Sequence, residues 1–154
     1  MNLPLLCQRN PSWSEQKIGA SQLTLGKYGC TTTSLSELSF YFGCPLTPPQ
    51  IAKNIDWYTP EGLVIWRNLK FTNFTFEKRL NSRIDAAINE SLKDPDKAVM
   101  VEVEGRHWLT VIGKTFWGND WKAIDPWFGG TCNVLQRYKY ISGSSHFKRA
   151  KLNI

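Results

Sequence analysis

An α+β fold, with helices in the first half of the chain and an antiparallel sheet in the second, follows from three observations. Residues 30–42 (CTTTSLSELSFYF) and 82–93 (SRIDAAINESLK) carry apolar side chains at helical spacing. From residue 97 the pattern changes to two-residue alternation, with Val99, Val101 and Val103 sharing a face. The two regimes are segregated along the chain instead of interleaved, which argues against repeated βαβ units.

The elements follow in order. Residues 3–8 (LPLLCQ) form a short extended lead-in, and residues 9–29, with Pro11, Gly19, Gly26 and Gly29, read as a long irregular stretch. The helix over 30–42 places Leu35, Leu38 and Phe42 on one face. Its Thr/Ser run suits a helix start, and Gly43 suits a stop. Thr47-Pro48 begins a second helix with Ile51 and Ile55 on one face. Residues 61–69 suggest a short helix bearing Leu63, Trp66 and Leu69, and 71–76 (FTNFTF) a strand. The helix over 82–93 places Ile84, Ala87, Ile88 and Leu92 on one face before Asp94-Pro95 ends it. Strands are predicted from 97, over 107–113, over 120–125 and over 134–141, with turns at Gly105-Arg106 and Gly129-Gly130. The segment around His146 (GSSHFKR) reads as a mobile polar tail. With no repeat, linker or low-complexity segment, residues 1–154 are expected to form one domain.

Composition narrows the function. At 154 residues and 42% hydrophobic, the chain is long and apolar enough to bury a core. No apolar run approaches the ~20 residues of a membrane span. The start, MNLPLLCQRNP, lacks the basic and apolar regions of a secretory signal, so synthesis in the cytoplasm is the expectation. Nineteen Lys and Arg against thirteen Asp and Glu leave a net charge of +6. The basic residues are scattered apart from Lys78-Arg79 and the tail, so the charge reads as solubility with weak steering, and nucleic acid is not the expected partner. Four cysteines, at 7, 30, 44 and 132, have no zinc-knuckle spacing and no secretory context for disulfides. No metal and no cofactor are implied.

The chemistry centres on Cys30. A thiolate is the reactive form of cysteine, and the backbone N–H groups at a helix start favour it. Cys7, Cys44 and Cys132 have no such setting and read as buried filler. A cysteine nucleophile needs a base, and only two histidines are present. His107 opens a strand directly after a tight turn. If 107–113 and 119–125 pair as a hairpin about Phe116, His107 faces Asp125 across the ladder, where a carboxylate orients the imidazole.

These residues lie within a wider resemblance. The N-terminal stretch carries Gln8, Asn10, Pro11 and Trp13, then Ile18, Gly19 and Ser21, then Gly29, Cys30 and Ser34. The second half carries His107-Trp108 and Asp125-Pro126, then Gly129 and Gly130. Over about residues 7–130 this resembles the papain-like cysteine peptidases related to the bacteriocin-processing, double-glycine leader peptidases. The resemblance implies a papain-like fold with the nucleophile at a helix N-terminus and His and Asp on an antiparallel sheet. It implies a Cys–His–Asp triad, with Cys30 as nucleophile, His107 as base and acid and Asp125 as orienter. Gln8 would complete the oxyanion hole, with Gln22 the alternative. Thr31 stands where a small residue is common in the family. No ATP-binding or membrane module accompanies the domain, so the implied form is stand-alone, bacterial or phage, released by lysis or packaged in a virion.

Seven tryptophans are mostly expected in core and rim packing, but Trp108, Trp117 and Trp127 lie near the His and Asp loops. Trp108 and Trp127 are the candidate substrate-binding residues. The function expected is thiol-dependent cleavage of peptide or amide bonds, on a peptide or peptidoglycan-derived substrate. The alternative is an inactive binding or structural module on the same fold, part of a phage particle or attached to a cell wall.

Overall fold

The computed structural model describes residues 1–151. It is α+β: an open six-stranded antiparallel sheet with helices on both faces. Two four-to-twelve-residue helices follow each other directly, α1 (Leu25–Tyr28) and α2 (Cys30–Tyr41), then α3 (Pro48–Ala52). After strand β1 (Phe74–Leu80) comes α4 (Asp85–Lys93), then β2 (Lys97–Val103), β3 (His107–Lys114), β4 (Trp121–Asp125), β5 (Gly130–Asn133), the short α5 (Val134–Arg137) and β6 (Ile141–Arg149). The strand order is β1-β6-β2-β3-β4-β5, so the last strand is inserted between the first two.

Alternation along β2 separates two cores. Ala98 and Met100 face α1, α2 and α3, where they meet Leu25, Leu35, Leu38, Phe42, Ile51 and a cluster of aromatics that includes Phe74, Trp108 and Phe147. Val99, Val101 and Val103 face the other way, against Ile88 of α4, Leu109, Val111, Trp121 and Val134. Tertiary burial makes α2 a helix despite its composition. Its six Thr and Ser residues cost together about 3 kcal/mol against alanine. Burial of Leu35, Leu38 and Phe42 contributes roughly 6 kcal/mol. The shorter α3 is fixed locally: Thr47 and Gln50 cap each other's backbone N–H groups reciprocally.

Several expectations are corrected. Ile55, 59% exposed, lies in a single 3-10 turn and not on the face of α3. Residues 61–69 form no α-helix; only 66–68 make a 3-10 turn, and Leu63 is exposed. Ile84 is an exposed N-cap. Residues 134–137 are helical where a strand was predicted, and the strand that follows β4 is β5.

The largest correction is the polar tail. It forms β6, pairing with β1 on one side and β2 on the other. His146 is fully buried there, with Nδ1 2.7 Å from the Ser91 hydroxyl and Nε2 2.8 Å from the Ser144 hydroxyl. Serine and histidine suggest a loop in one dimension, but in the sheet they satisfy one another while Phe147 enters the aromatic core.

No helix is long and apolar enough to cross a membrane, among the described residues. Nor do those residues include any group of three or more His, Cys, Asp or Glu that could hold a metal ion.

Candidate active site

Cys30 is the first residue of α2 and half-buried. The first N–H groups of a helix have no carbonyl partner within it, so they present positive charge to the sulfur. Gly29 makes the junction possible by close approach. Its φ of −88° suits any residue, but a Cβ there would lie 2.4 Å from the Leu25 carbonyl oxygen and 2.8 Å from the Leu25 Cα. Two helices can abut at this point only without a side chain.

His107 opens β3 and lines the same cleft as Cys30, and its Nε2 lies 2.8 Å from Asp125 Oδ1. With Nε2 committed to the carboxylate, Nδ1 is the ring nitrogen left for the thiol. The expected cross-strand pairing is shifted. Thr110 stands opposite Ile124 and Val111 opposite Ala123. Continued by one residue, this register sets Asp125 opposite Leu109, two positions along from His107. The hairpin is longer than predicted, closing at Thr115 and Asp120, and a bulge falls between Val111 and Gly113. A slip of two keeps both side chains on one face, whereas a slip of one would have separated them. The pair therefore meets along the diagonal, within reach of an imidazole.

Asp125 has no exposed surface. Besides His107, its carboxylate accepts the Trp127 N–H at 3.0 Å, the Arg137 guanidinium at 3.2 Å and the Tyr138 hydroxyl. Burial works against its charge, but the bonds from His107 and Tyr138 and the His107 charge hold its pKa below the usual carboxylate value.

Electrostatic coupling ties the three groups together. Burial alone would raise the Cys30 thiol; contact with His107 and its charge, the Trp108 backbone N–H and the Thr31 hydroxyl bring it below its ordinary value. Burial alone would lower His107; contact with Asp125 and Cys30, and their negative charge, carry it up to about 9. The arrangement shifts the pair toward thiolate beside imidazolium. Cys132 goes the other way, its thiol pushed by burial to about 11.

Gln8 is 1% exposed and lines the same cleft. Its backbone N–H bonds the Pro126 carbonyl at 2.8 Å, and its side-chain amide donates to the Gly26 carbonyl at 3.2 Å. An amide has two N–H groups, so one remains uncommitted, while its buried Oε1 has no partner among the described residues. The lead-in is held along Pro126 and Trp127 by Arg9, whose guanidinium bonds the Trp127 carbonyl at 2.8 Å and stacks 4.4 Å from its ring centre. Gly129, at a φ of +70°, admits Cys7 where a Cβ would come within 2.7 Å of the Cys7 Cβ. Gln22 is exposed and bonds Lys17, away from the cleft.

The cleft has a volume of about 510 Å³ and is lined by Gln8, Cys30, His107, Trp108 and Trp127, with an apolar wall from Ile18, Leu23, Tyr58 and Val64. Trp117 is not part of it: that side chain is 83% exposed at the tip of the β3–β4 hairpin, edge-on to Phe116. Sequence reasoning missed Arg137 and Tyr138. They were read as strand residues, and only the return of the chain through β5 and α5 brings them to Asp125.

No family model, no curated protein and no solved structure matches the chain. The site therefore stands on its own geometry.

Proposed function

We propose that this protein is a thiol-dependent hydrolase of the papain-like type, cleaving peptide or amide bonds. The observation that carries the reading is the His107–Asp125 pair lining the same cleft as Cys30, which stands at a helix N-terminus. The Cys30 thiolate attacks the carbonyl carbon, forming the S–C bond and sending the π electrons to oxygen. That oxyanion meets the Cys30 N–H and the uncommitted N–H of Gln8, an arrangement in which one donor contributes about 3 kcal/mol to the barrier. The C–N bond breaks as the His107 imidazolium gives its proton to the leaving amine. His107, now neutral, takes a proton from water, whose oxygen attacks the thioester and releases the acid and the thiolate. Asp125 keeps the imidazole oriented throughout. Trp108, Trp127 and the apolar wall favour an extended peptide, and cell-wall stem peptides are the substrates we propose to try first.

Iodoacetamide labelling near pH 7, followed by peptide mapping of the four cysteines, tests the reading. Cys30 is expected to react at least about tenfold faster than Cys7, Cys44 and Cys132, and His107→Ala to abolish that advantage. Equal rates at the four thiols, or a Cys30 rate indifferent to His107→Ala, would overturn it.

A further inference from the structure

Glu37 is a fully buried carboxyl that the mechanism above does not use. It lies seven residues along α2 from Cys30, two turns down the same face. Its Oε1 is 2.9 Å from the Thr110 hydroxyl on β3, and its Oε2 is 3.5 Å from the backbone N–H of Leu6. Thr110 lies three residues from His107, and Leu6 two from Gln8. One carboxyl thus touches the three segments that carry nucleophile, base and oxyanion amide.

Hydrogen-bond accounting favours the protonated form. A buried carboxylate wants a cation or several N–H donors. Glu37 has one N–H at long range and no ion pair among the described residues. The charge acting on it, that of Asp125 on β4, has the same sign. As a neutral acid its O–H donates to the Thr110 hydroxyl, which then turns to the Ser34 carbonyl at 3.5 Å, while Oε2 accepts from Leu6. The Glu37 carboxyl and the Thr110 hydroxyl are then both satisfied. Burial likewise holds the carboxyl pKa well above its ordinary value.

We propose that Glu37, as a neutral carboxylic acid, is the positioning residue that locks the Cys30 helix to the His107 strand and to the segment bearing Gln8. The proposal rests on the hydrolase reading of the same site. It states which side chain keeps the thiolate–imidazolium pair in register: when Glu37 is lost, α2 is free to rotate on β3 and Cys30 loses its alignment with Nδ1.

The test compares Glu37→Gln, Glu37→Leu and Thr110→Val with the wild type, following the Cys30 labelling rate from pH 5 to 9 alongside circular dichroism. Glutamine supplies one N–H donor for Thr110 and one carbonyl for Leu6, so Glu37→Gln is expected to label within about twofold of wild type with the same pH midpoint. Glu37→Leu is expected to slow labelling at pH 7 about tenfold and to move the midpoint up toward the ~8.5 of a free thiol. Thr110→Val, which keeps shape and removes only the hydroxyl, reports the same loss should Glu37→Leu not fold. Two results overturn the proposal: Glu37→Gln failing as badly as the leucine variant, which would make the charge essential, or Thr110→Val and Glu37→Leu matching wild type in rate and midpoint. If these match while Cys30 remains fast and dependent on His107, only the Glu37 proposal falls. If wild-type Cys30 is itself no faster than the other thiols, the hydrolase reading falls with it.

Discussion

Asp125 shows how much of the site depends on a single side chain. Its carboxylate receives four donors in a place without solvent, so removing its charge weakens its hold on Arg137 and Tyr138 and on His107. The pH dependence of hydrolysis follows from the proposed pair. Activity should rise on the acid side as Cys30 ionises below its ordinary thiol value, and fall on the alkaline side as His107 loses its proton near pH 9. Alkylation of Cys30, which needs only the thiolate, should show the first transition and not the second. Asp125→Asn removes the group that raises His107. The alkaline limb of hydrolysis is then expected to move from about 9 toward the ordinary histidine value, with a rate loss of roughly 10² to 10⁴. Turnover of a peptide substrate followed against pH would check this, and an unmoved alkaline limb would speak against His107 as the proton donor.

At the scale of elements, what could be read in the sequence depended on whether neighbours in the chain decide the structure. The start of α2 at Cys30, the capped start of α3 at Thr47 and the strands over 97–103 and 107–113 are local patterns of periodicity, capping and alternation, and they were legible. So was the placing of His107 and Asp125 on one face, which survived a wrong register because the slip was even. The strand β6 was not legible, because serine and histidine become sheet residues only when Ser91 of α4 and the flanking strands supply their partners. Arg137, Tyr138 and Glu37 were missed for a related reason: each meets its partner across 12 or more residues of chain. In the sequence Gly29 reads as the end of the irregular stretch over 9–29; the structure assigns it a specific role, the abutment of α1 on α2. That difference is measurable. Gly29→Ala forces its new methyl group into the Leu25 backbone, and overpacking of this kind costs about 1–3 kcal/mol. The expected result in urea denaturation is a lower midpoint, together with slower Cys30 labelling because the helix start must shift. A Gly29→Ala protein equal to wild type in both measurements would mean that the junction adapts without moving the thiol.

Across the whole molecule, two histidines impose opposite demands on pH. His107 sits at the mouth of the cleft with its pKa raised to about 9, so the stability it contributes is complete below about 6.5, the ordinary histidine value, and is lost as pH rises through 9. His146 lies in the middle of the sheet, where burial and the nearby Lys78 charge lower its pKa to about 4. It is neutral when folded, one ring nitrogen donating to a serine hydroxyl and the other accepting from one. Its contribution is complete above about 6.5 and is lost as pH falls through 4, since the unfolded chain binds that proton first. The two are separable because His146 joins β6 to α4 and lies outside the cleft. Between pH 7 and 4 the group's share of the stability loss is on the order of 2 kcal/mol. His146→Gln has no proton to gain. Urea denaturation at the two pH values is expected to show the variant less stable than wild type at pH 7 and the gap closing by about that amount at pH 4. A gap that stays constant would mean that His146 is not held neutral in the folded sheet.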